Sequence, residues 1–257
     1  MSLSVSVIES RQNQRYKQWQ KYVSHPEKEE CPWIPVEGWK QVRDLASERP
    51  AELLLFSDPE DPRLKLLLPR SRESFCLSPR LLQRLSTVEF SQGVLAFFQK
   101  PFWRWQDLTP WVLYLYRLQD PGNLGTLFRT ARATGMFSLV TSPKTVSCFN
   151  SKVARASVGS LFAVPFLEGI TAGGLKRHGY RLWAATPEGG KSLFEVHFEP
   201  PTAVLIGNEG GGLEASVLAL TEKKIHIPMQ PQAESLNASV AGSLILYEVL
   251  RQGSGHG

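Results

Sequence analysis

Short apolar strands alternate with helices through the second half of the chain, and this alternation restricts the fold more than any other feature. Strands are predicted at 112–118, 181–186 and 202–206, and helices at 124–134 and 213–220. Such alternation indicates an α/β domain with a parallel sheet that carries helices on both faces. Ligands of these sheets bind at the carboxyl ends of the strands. A functional site is therefore expected where the strands end.

The segment 225–251 combines a short apolar strand, a polar loop and a strongly apolar helix. Apolar residues lie on nearly every side of that helix: Val240, Leu244, Ile245, Leu246, Tyr247, Val249 and Leu250. A helix that is apolar all round is buried. The pattern therefore predicts a buried C-terminal helix, not a tail.

The first hundred residues show a separate, smaller pattern of helices and strands. Helices are predicted at 9–24 and 36–45, and buried strands at 52–56 and 93–98. This order favours a small α/β domain. The helix at 9–24 mixes basic residues with Tyr16, Trp19 and Tyr22, which suits either RNA binding or an aromatic core.

A linker is predicted at 101–110, PFWRWQDLTP. This segment is rich in tryptophan, contains two prolines and shows neither the hydrophobic periodicity of a helix nor that of a strand. The expected domains are therefore 1–100 and 111–252. The net charge of +5 permits a nucleic-acid partner without requiring one. No apolar run reaches the roughly 18 residues of a membrane span.

Three widely separated cysteines, Cys31, Cys76 and Cys148, show no paired metal-ligand spacing. Their odd number indicates reduced thiols in a cytoplasmic protein. No His/Cys cluster is present that predicts a metal site.

The first strand exit, 119–135, carries polar residues that a core does not require. Asn123 is expected to cap the following helix. Arg129 and Arg132 share a face near its start, where the helix dipole disfavours positive charge. This indicates an anionic partner such as phosphate. The alternative is that both arginines point to solvent or pair with Asp120.

The second exit, LIGNEGGGL at 205–213, has four glycines within six residues. Glycines allow close approach of backbone to ligand, or a positive φ. The pattern is neither the dinucleotide fingerprint nor the phosphate loop with its lysine, which argues against a nucleotide-dependent enzyme. Glu209 is placed to accept hydrogen bonds from a ribose or an RNA backbone donor. The alternative is a tight turn and nothing more.

The third exit is the polar loop before the C-terminal helix. Ile227 and Met229 end a strand, where backbone groups can hold a flat base. Ser235 and Asn237 follow. The alternative is that one of these two side chains only caps the helix. Their joint presence beside a long polar loop favours a site.

Together these three stretches resemble the three motifs of the SpoU–TrmH family of RNA ribose 2′-O-methyltransferases. Asn123, Gly125 and Arg129 are similar to its first motif, N-x-G-x-x-x-R. Residues 207–212 resemble its second, G-N-E-G-x-G. Ile227–Met229 with Ser235–Ala241 resembles its third, I-P-M followed by S-L-N-x-S-V-A.

The resemblance implies a deep trefoil knot at the C-terminus, a homodimer formed through this region, and S-adenosylmethionine as the methyl donor. The first half resembles the ribosomal-protein-like RNA-binding domain that many members carry, through Val36–Gly38 and 91–98. Members of this two-domain shape imply structured RNA as the partner, with large-subunit rRNA favoured over tRNA. A tRNA methyltransferase and a non-catalytic RNA-binding protein remain the alternatives.

The resemblance also implies roles for individual residues. The expected catalytic residues are Arg129, Asn123, Glu209, Ser235 and Asn237. The expected cofactor-binding residues are Gly207, Asn208, Gly210, Ile227, Met229 and Leu236. Independently of the resemblance, Arg132, Lys152 and Arg155 are predicted to contact RNA phosphates, and a solvated helix face is the alternative for each.

Overall fold

The computed structural model describes residues 6–230, 232–233 and 235–254, which form two compact units. The first unit contains the chain up to Pro101 together with Phe149–Gly159. The second contains Phe102–Cys148 and the chain from Ser160 onward. Each unit has its own β-sheet, so each has its own core.

The first unit is built on a mixed sheet of five strands. In chain order these are β1 (Ser6–Ile8), β2 (Trp33–Glu37), β3 (Ala51–Phe56), β4 (Ser71–Leu77) and β5 (Val94–Gln99). They lie in the order β1-β4-β3-β5-β2. Strands β1, β4 and β3 are parallel to one another, and β5 runs antiparallel to both β3 and β2.

Two of these strands, β3 and β5, confirm the predicted buried strands, whereas β1, β2 and β4 were not predicted. The sequence of β4 is polar at first, and only Phe75 and Leu77 are buried. In β2, Pro35 lies within an edge strand, where a proline is tolerated but weakens the strand pattern.

The described residues of the first unit form five α-helices: α1 (Gln14–Ser24), α2 (Trp39–Glu48), α3 (Leu64–Leu67), α4 (Pro79–Leu85) and α6 (Ser151–Ala156). The prediction of a helix from residue 36 was wrong at its start, because Val36 and Glu37 belong to β2. Gly38 precedes α2 with a φ of 96°, in the left-handed region that glycine tolerates.

The aromatic residues of α1 belong mainly to the core. Tyr16 and Trp19 are buried, and the Tyr16 hydroxyl donates to the carbonyl oxygen of Leu81 at 3.0 Å. Of the two interpretations of this helix, RNA binding and an aromatic core, the aromatic core therefore describes Tyr16 and Trp19.

The second unit contains a seven-stranded sheet in which every neighbouring pair is parallel. Its strands are β6 (Trp111–Leu115), β7 (Phe137–Thr141), β8 (Phe166–Leu167), β9 (Arg181–Ala185), β10 (Lys191–Ser192), β11 (Thr202–Ile206) and β12 (Lys223–His226). They lie in the order β10-β12-β9-β11-β6-β7-β8. The predicted parallel α/β sheet is thus confirmed.

The register of this sheet brings three carboxyl ends to one edge. Ile206, the last residue of β11, lies opposite Leu115 of β6 on one side and Ala185 of β9 on the other. The loops that follow these strands therefore start side by side.

Four α-helices of the second unit are α5 (Pro121–Thr134), α7 (Ala172–Arg177), α8 (Ala215–Leu218) and α9 (Ala238–Ser254). After α6 ends at Ala156, a separate 3-10 turn covers Ser160–Phe162. Within the predicted linker, Trp105 stacks on His178 with ring centroids 3.6 Å apart. This part of the linker therefore packs on the second unit.

The C-terminal helix α9 is buried on one side only. Ile245, Leu246 and Val249 are buried, and α9 packs against α5. By contrast, Val240, Leu244 and Tyr247 are 46%, 39% and 52% exposed. The prediction of a helix buried all round was therefore wrong for these three residues, which share one face at i, i+4 and i+7.

Both ends of α9 are fixed by specific contacts. Near its start, a Cβ on Gly242 would lie 2.5 Å from Cδ2 of Leu127, so the helix approaches α5 very closely. Near its end, the Gln252 side chain accepts from Phe198 N at 3.0 Å and donates to Val196 O at 2.9 Å. The helix is thereby tied to the segment that precedes β11.

Among the described residues, no helix has both the length and the hydropathy that crossing a membrane requires.

Candidate active site

A cavity of about 260 Å³ lies at the carboxyl ends of β9, β11 and β12. It is lined by Ala185, Thr186, Pro187, Ile206, Gly207, Asn208, Glu209, Gly210, Gly212, Ile227, Met229, Ser235, Leu236, Ala238 and Ala241. The lining includes all six residues predicted to bind a cofactor. It also includes Glu209 and Ser235 from the predicted catalytic set.

The glycine-rich loop after β11 closes on itself. Asn208 Oδ1 accepts from the backbone N–H of Gly210 at 3.2 Å and of Gly211 at 2.6 Å. Gly212 N donates to the Asn208 carbonyl oxygen at 3.1 Å. A Cβ on Gly207 would lie 2.2 Å from the carbonyl carbon of Gly212, so residue 207 must be glycine for the loop to close. The Asn208 side chain therefore shapes the loop through its oxygen.

Two of the predicted catalytic residues meet across the site. Asn123 Nδ2 donates to Glu209 Oε1 at 2.7 Å, which joins α5 to the glycine-rich loop. Asn123 does not cap α5 as predicted. Asp120 is the capping residue, and its Oδ1 accepts from Asn123 N at 2.7 Å. The Asn123 side chain is thus directed at Glu209, where it fixes the orientation of the carboxylate.

Asn237 caps α9. Its Oδ1 accepts from Ser239 N at 2.9 Å, from Ser239 Oγ at 2.7 Å and from Val240 N at 3.3 Å. The side-chain oxygen of Asn237 is therefore used as a helix cap, which was the alternative to a role in the site. The cap does not use the Nδ2 group of Asn237, which can donate. Ser235 is exposed and contributes to the cavity wall.

The four predicted cationic residues lie outside the cavity lining. Arg129 and Arg132 are exposed on α5, and Arg129 makes no hydrogen bond or ion pair with any residue that the structure describes. The alternative of an Arg129–Asp120 pair is therefore not realised. Lys152 and Arg155 are exposed on α6 in the first unit, where Arg155 Nη1 donates to Thr87 O at 2.9 Å.

A second link to the glycine-rich loop was not predicted. Arg117, after β6, pairs with Glu214, which follows the loop. The Tyr116 hydroxyl donates to the same carboxylate and, together with Arg117, lowers the pKa of Glu214. Arg117 has a φ of 53°, an uncommon conformation for a residue other than glycine. No sequence spacing signals this pair, because its members are 97 residues apart.

Three cavity residues at the end of β9 were also missed: Ala185, Thr186 and Pro187. The available signal was the predicted strand 181–186, whose carboxyl end lies beside that of β11 in a parallel sheet.

Comparison with known proteins now places the chain in a family. A model of the SpoU rRNA Methylase family matches residues 110–247, which is more than half of the chain. The chain belongs to this family. The family predicted from the three motifs is thus confirmed.

Relatives match beyond the family region. The 23S rRNA (guanosine(2553)-2′-O)-methyltransferase RlmP of Bacillus subtilis is 30% identical over 94% of this chain and 98% of its own length. An uncharacterised tRNA/rRNA methyltransferase of Synechocystis is 38% identical over 72% of this chain and 70% of its own length.

The crystal structure of the SpoU methyltransferase AviRb from Streptomyces viridochromogenes, in complex with the cofactor AdoMet, superposes with a TM-score of 0.83. It is 28% identical, and the match covers 95% of this chain and 99% of AviRb. The similarity therefore includes both units of the fold.

The residues present suit S-adenosylmethionine (AdoMet). Apolar side chains of Ile206, Ile227, Met229 and Leu236 line the cavity, as an adenine ring requires, and Glu209 provides a polar acceptor. The cavity volume, about 260 Å³, is close to the lower end of small-molecule sites, which is about 300 Å³.

Proposed function

We propose that this protein methylates a ribose 2′-hydroxyl of large-subunit rRNA with S-adenosylmethionine as the donor. Family membership and the named activity of the Bacillus subtilis relative support the reaction and the type of RNA. The single observation that carries the proposal is the cavity at the sheet edge, in which the glycine-rich loop and the loop before α9 enclose one space beside the Asn123–Glu209 pair.

The cofactor would be held by the six predicted residues, Gly207, Asn208, Gly210, Ile227, Met229 and Leu236. The closed glycine-rich loop brings backbone close to the ligand because no Cβ stands in the way. Leu236 and Met229 would cover the adenine ring of the cofactor. When bound, the cofactor supplies a methyl group on an activated sulfonium, so the reaction needs no metal.

The remaining tasks are to place the ribose hydroxyl in line with the methyl group and to remove its proton. Arg129 would clamp the phosphate of the target nucleotide and stabilise negative charge that develops on the ribose oxygen. It is a poor base, because a guanidinium has a pKa above about 12. Phosphate or water would take the proton.

Glu209, Ser235 and Asn237 would orient the ribose. Asn123 already holds one oxygen of Glu209, which leaves the other available to accept a hydrogen bond. The Asn237 oxygen is engaged in the helix cap, so this residue would act through its Nδ2 donor. Arg132, Lys152 and Arg155 would contact phosphates elsewhere on the RNA.

The proposal extends to features that remain predictions: an RNA-binding role for residues 1–100, a deep trefoil knot whose threaded part is 225–251, and a cytoplasmic location. The free thiols of Cys31, Cys76 and Cys148 support the location.

We also propose a homodimer formed through the exposed face of α9. Val240, Leu244 and Tyr247 line a shallow groove together with Thr126 of α5. Three exposed large apolar residues on one helix face indicate an interaction surface. Arg129 follows Thr126 by three residues, on the same side of α5. A partner seated on this face would therefore lie beside Arg129.

Leu244→Asp is expected to convert the dimer to the 28.8 kDa monomer at micromolar concentration. A buried, unpaired carboxylate at the interface is costly. Sedimentation velocity measures the mass, and circular dichroism verifies the fold. Phe194→Asp is the matched control, because Phe194 is 56% exposed outside this face. A Leu244→Asp protein that stays dimeric would show that the interface lies elsewhere.

The proposed reaction is tested by mapping 2′-O-methyl groups in rRNA and tRNA from cells with and without the protein. We expect one large-subunit rRNA mark to disappear and to return when the gene is restored. Loss of a mark in tRNA alone would instead establish the tRNA alternative. If no mark is lost and purified protein binds no labelled S-adenosylmethionine, the non-catalytic alternative is correct.

A further inference from the structure

A polar loop of the first unit carries a solvent-exposed aromatic side chain. The loop, residues 86–92, connects α4 to β5 and is called here the Phe90 loop. Phe90 is 80% exposed. A ligand that covers this ring would remove its apolar area from water, which is worth roughly 25 cal/mol per Å².

The start of the Phe90 loop is tied to β2. Both oxygens of the Glu37 carboxylate are used: Ser86 Oγ donates to Oε1, and Thr87 donates to Oε2 from its backbone N–H at 3.1 Å. The Gln83 side chain donates to the carbonyl oxygens of Val88 and Glu89 at 3.2 and 3.1 Å.

The end of the loop is tied as well. Gln83 Oε1 accepts from Ser91 N at 2.9 Å, and Trp39 Nε1 donates to Gln92 O at 2.8 Å. The polar groups of the loop are therefore directed inward at both ends, while Phe90 is presented outward. A ring held in this way loses little conformational entropy when a ligand stacks on it.

Positive charge accompanies the Phe90 loop. Arg155 Nη1 donates to Thr87 O at 2.9 Å, which joins α6 to the loop and uses one of the five guanidinium donors. Lys152 lies three residues earlier on α6, and its side chain is exposed. The loop itself contains one carboxylate, that of Glu89, and the neighbouring carboxylate of Glu37 is already engaged by Ser86 and Thr87.

We propose that Phe90 stacks on an unpaired base of the RNA substrate while Arg155 and Lys152 contact the adjacent phosphates. An exposed ring beside cations is the pairing that single-stranded RNA binding uses. This inference rests on the proposed function, in that the ligand is the RNA that is methylated. It assigns to the first unit a base-recognition site separate from the cavity.

The test measures the dissociation constant of the full-length protein for in vitro transcribed large-subunit rRNA fragments. Phe90→Ala should weaken binding about 5- to 150-fold, the range that loss of one base–aromatic stack gives. Phe90→Trp should restore it, since tryptophan offers a larger stacking face. Phe102→Ala is the control, because Phe102 is equally exposed, at 82%, and lies outside the loop.

Salt dependence separates the stack from the phosphate contacts. Lys152→Gln should reduce the slope of log K against log salt by about 0.7, the value for one phosphate on a single strand, whereas Phe90→Ala should leave the slope unchanged. Unaltered RNA affinity in Phe90→Ala overturns the proposal. Native RNA affinity in Phe90→Leu also overturns it, because leucine covers area but cannot stack, so apolar packing alone would then account for the effect of Phe90→Ala. Failure of the proposed function itself is distinguishable, because no large-subunit rRNA mark would then be lost from cells without the protein, whatever the RNA affinity of Phe90→Ala.

Discussion

Gly207→Ala is expected to weaken S-adenosylmethionine binding by about 100-fold or more, as measured by isothermal titration calorimetry. The added Cβ would lie 2.2 Å from the carbonyl carbon of Gly212. This carbon is a backbone atom and not the end of a flexible side chain, so it cannot move aside unless the loop opens. Overpacking of this kind costs about 1–3 kcal/mol or more, and here the cost falls on the loop that forms the cavity wall.

The opening would also displace Glu209 from Asn123, since Glu209 lies inside the loop. The rate of methyl transfer should therefore fall together with cofactor affinity. Gly211→Ala is the matched control, because its Cβ would lie 3.5 Å from Asn208 Oδ1, an ordinary contact. If Gly207→Ala binds the cofactor as tightly as Gly211→Ala does, the closed loop does not form the binding site.

The sequence predicted the second unit well because its strands are buried runs with sharp ends. β11 has the predicted bounds, 202–206, and every predicted cofactor residue lies in the cavity that follows the strand ends. Strand β4 was missed because its first residues are polar, and only its pairing with β1 and β3 makes it a strand.

The error at the start of α5 arises from competition between two good capping residues. Asp120 and Asn123 are both suitable caps. Pro121, which favours the first helical position, settles the choice for Asp120. This signal was present in the sequence.

Side-chain partners across the fold could not be predicted. The Asn123–Glu209 bond joins residues 86 apart, and the exposed face of α9 depends on which side packs on α5. Composition alone gives α9 apolar residues all round, so it cannot distinguish a core face from an interface. Both properties are set by tertiary contacts.

Arg129→Lys is expected to lower kcat for RNA methylation by about 100-fold while leaving S-adenosylmethionine affinity unchanged. Loss of one group that stabilises developing charge costs about 10²–10³ in kcat. Lysine keeps the positive charge but lacks the planar fork that binds phosphate through two parallel bonds. Arg129 lies outside the cavity lining and makes no hydrogen bond or ion pair within the described part of the chain, so the substitution disturbs no contact seen there.

The measurement is steady-state methyl transfer over a range of RNA concentrations, which gives kcat and KM, with cofactor affinity determined separately. Arg177→Lys is the matched control, because Arg177 is also an exposed arginine on a helix of the second unit. A near-native kcat with unchanged RNA affinity in Arg129→Lys would exclude the clamp, since charge alone would then suffice. A raised KM with native kcat would show that Arg129 binds the RNA equally well in the ground state and in the transition state, and so does not stabilise the transition state selectively. Only a loss in kcat supports the proposed role, because that role is exerted on the oxygen as its charge develops.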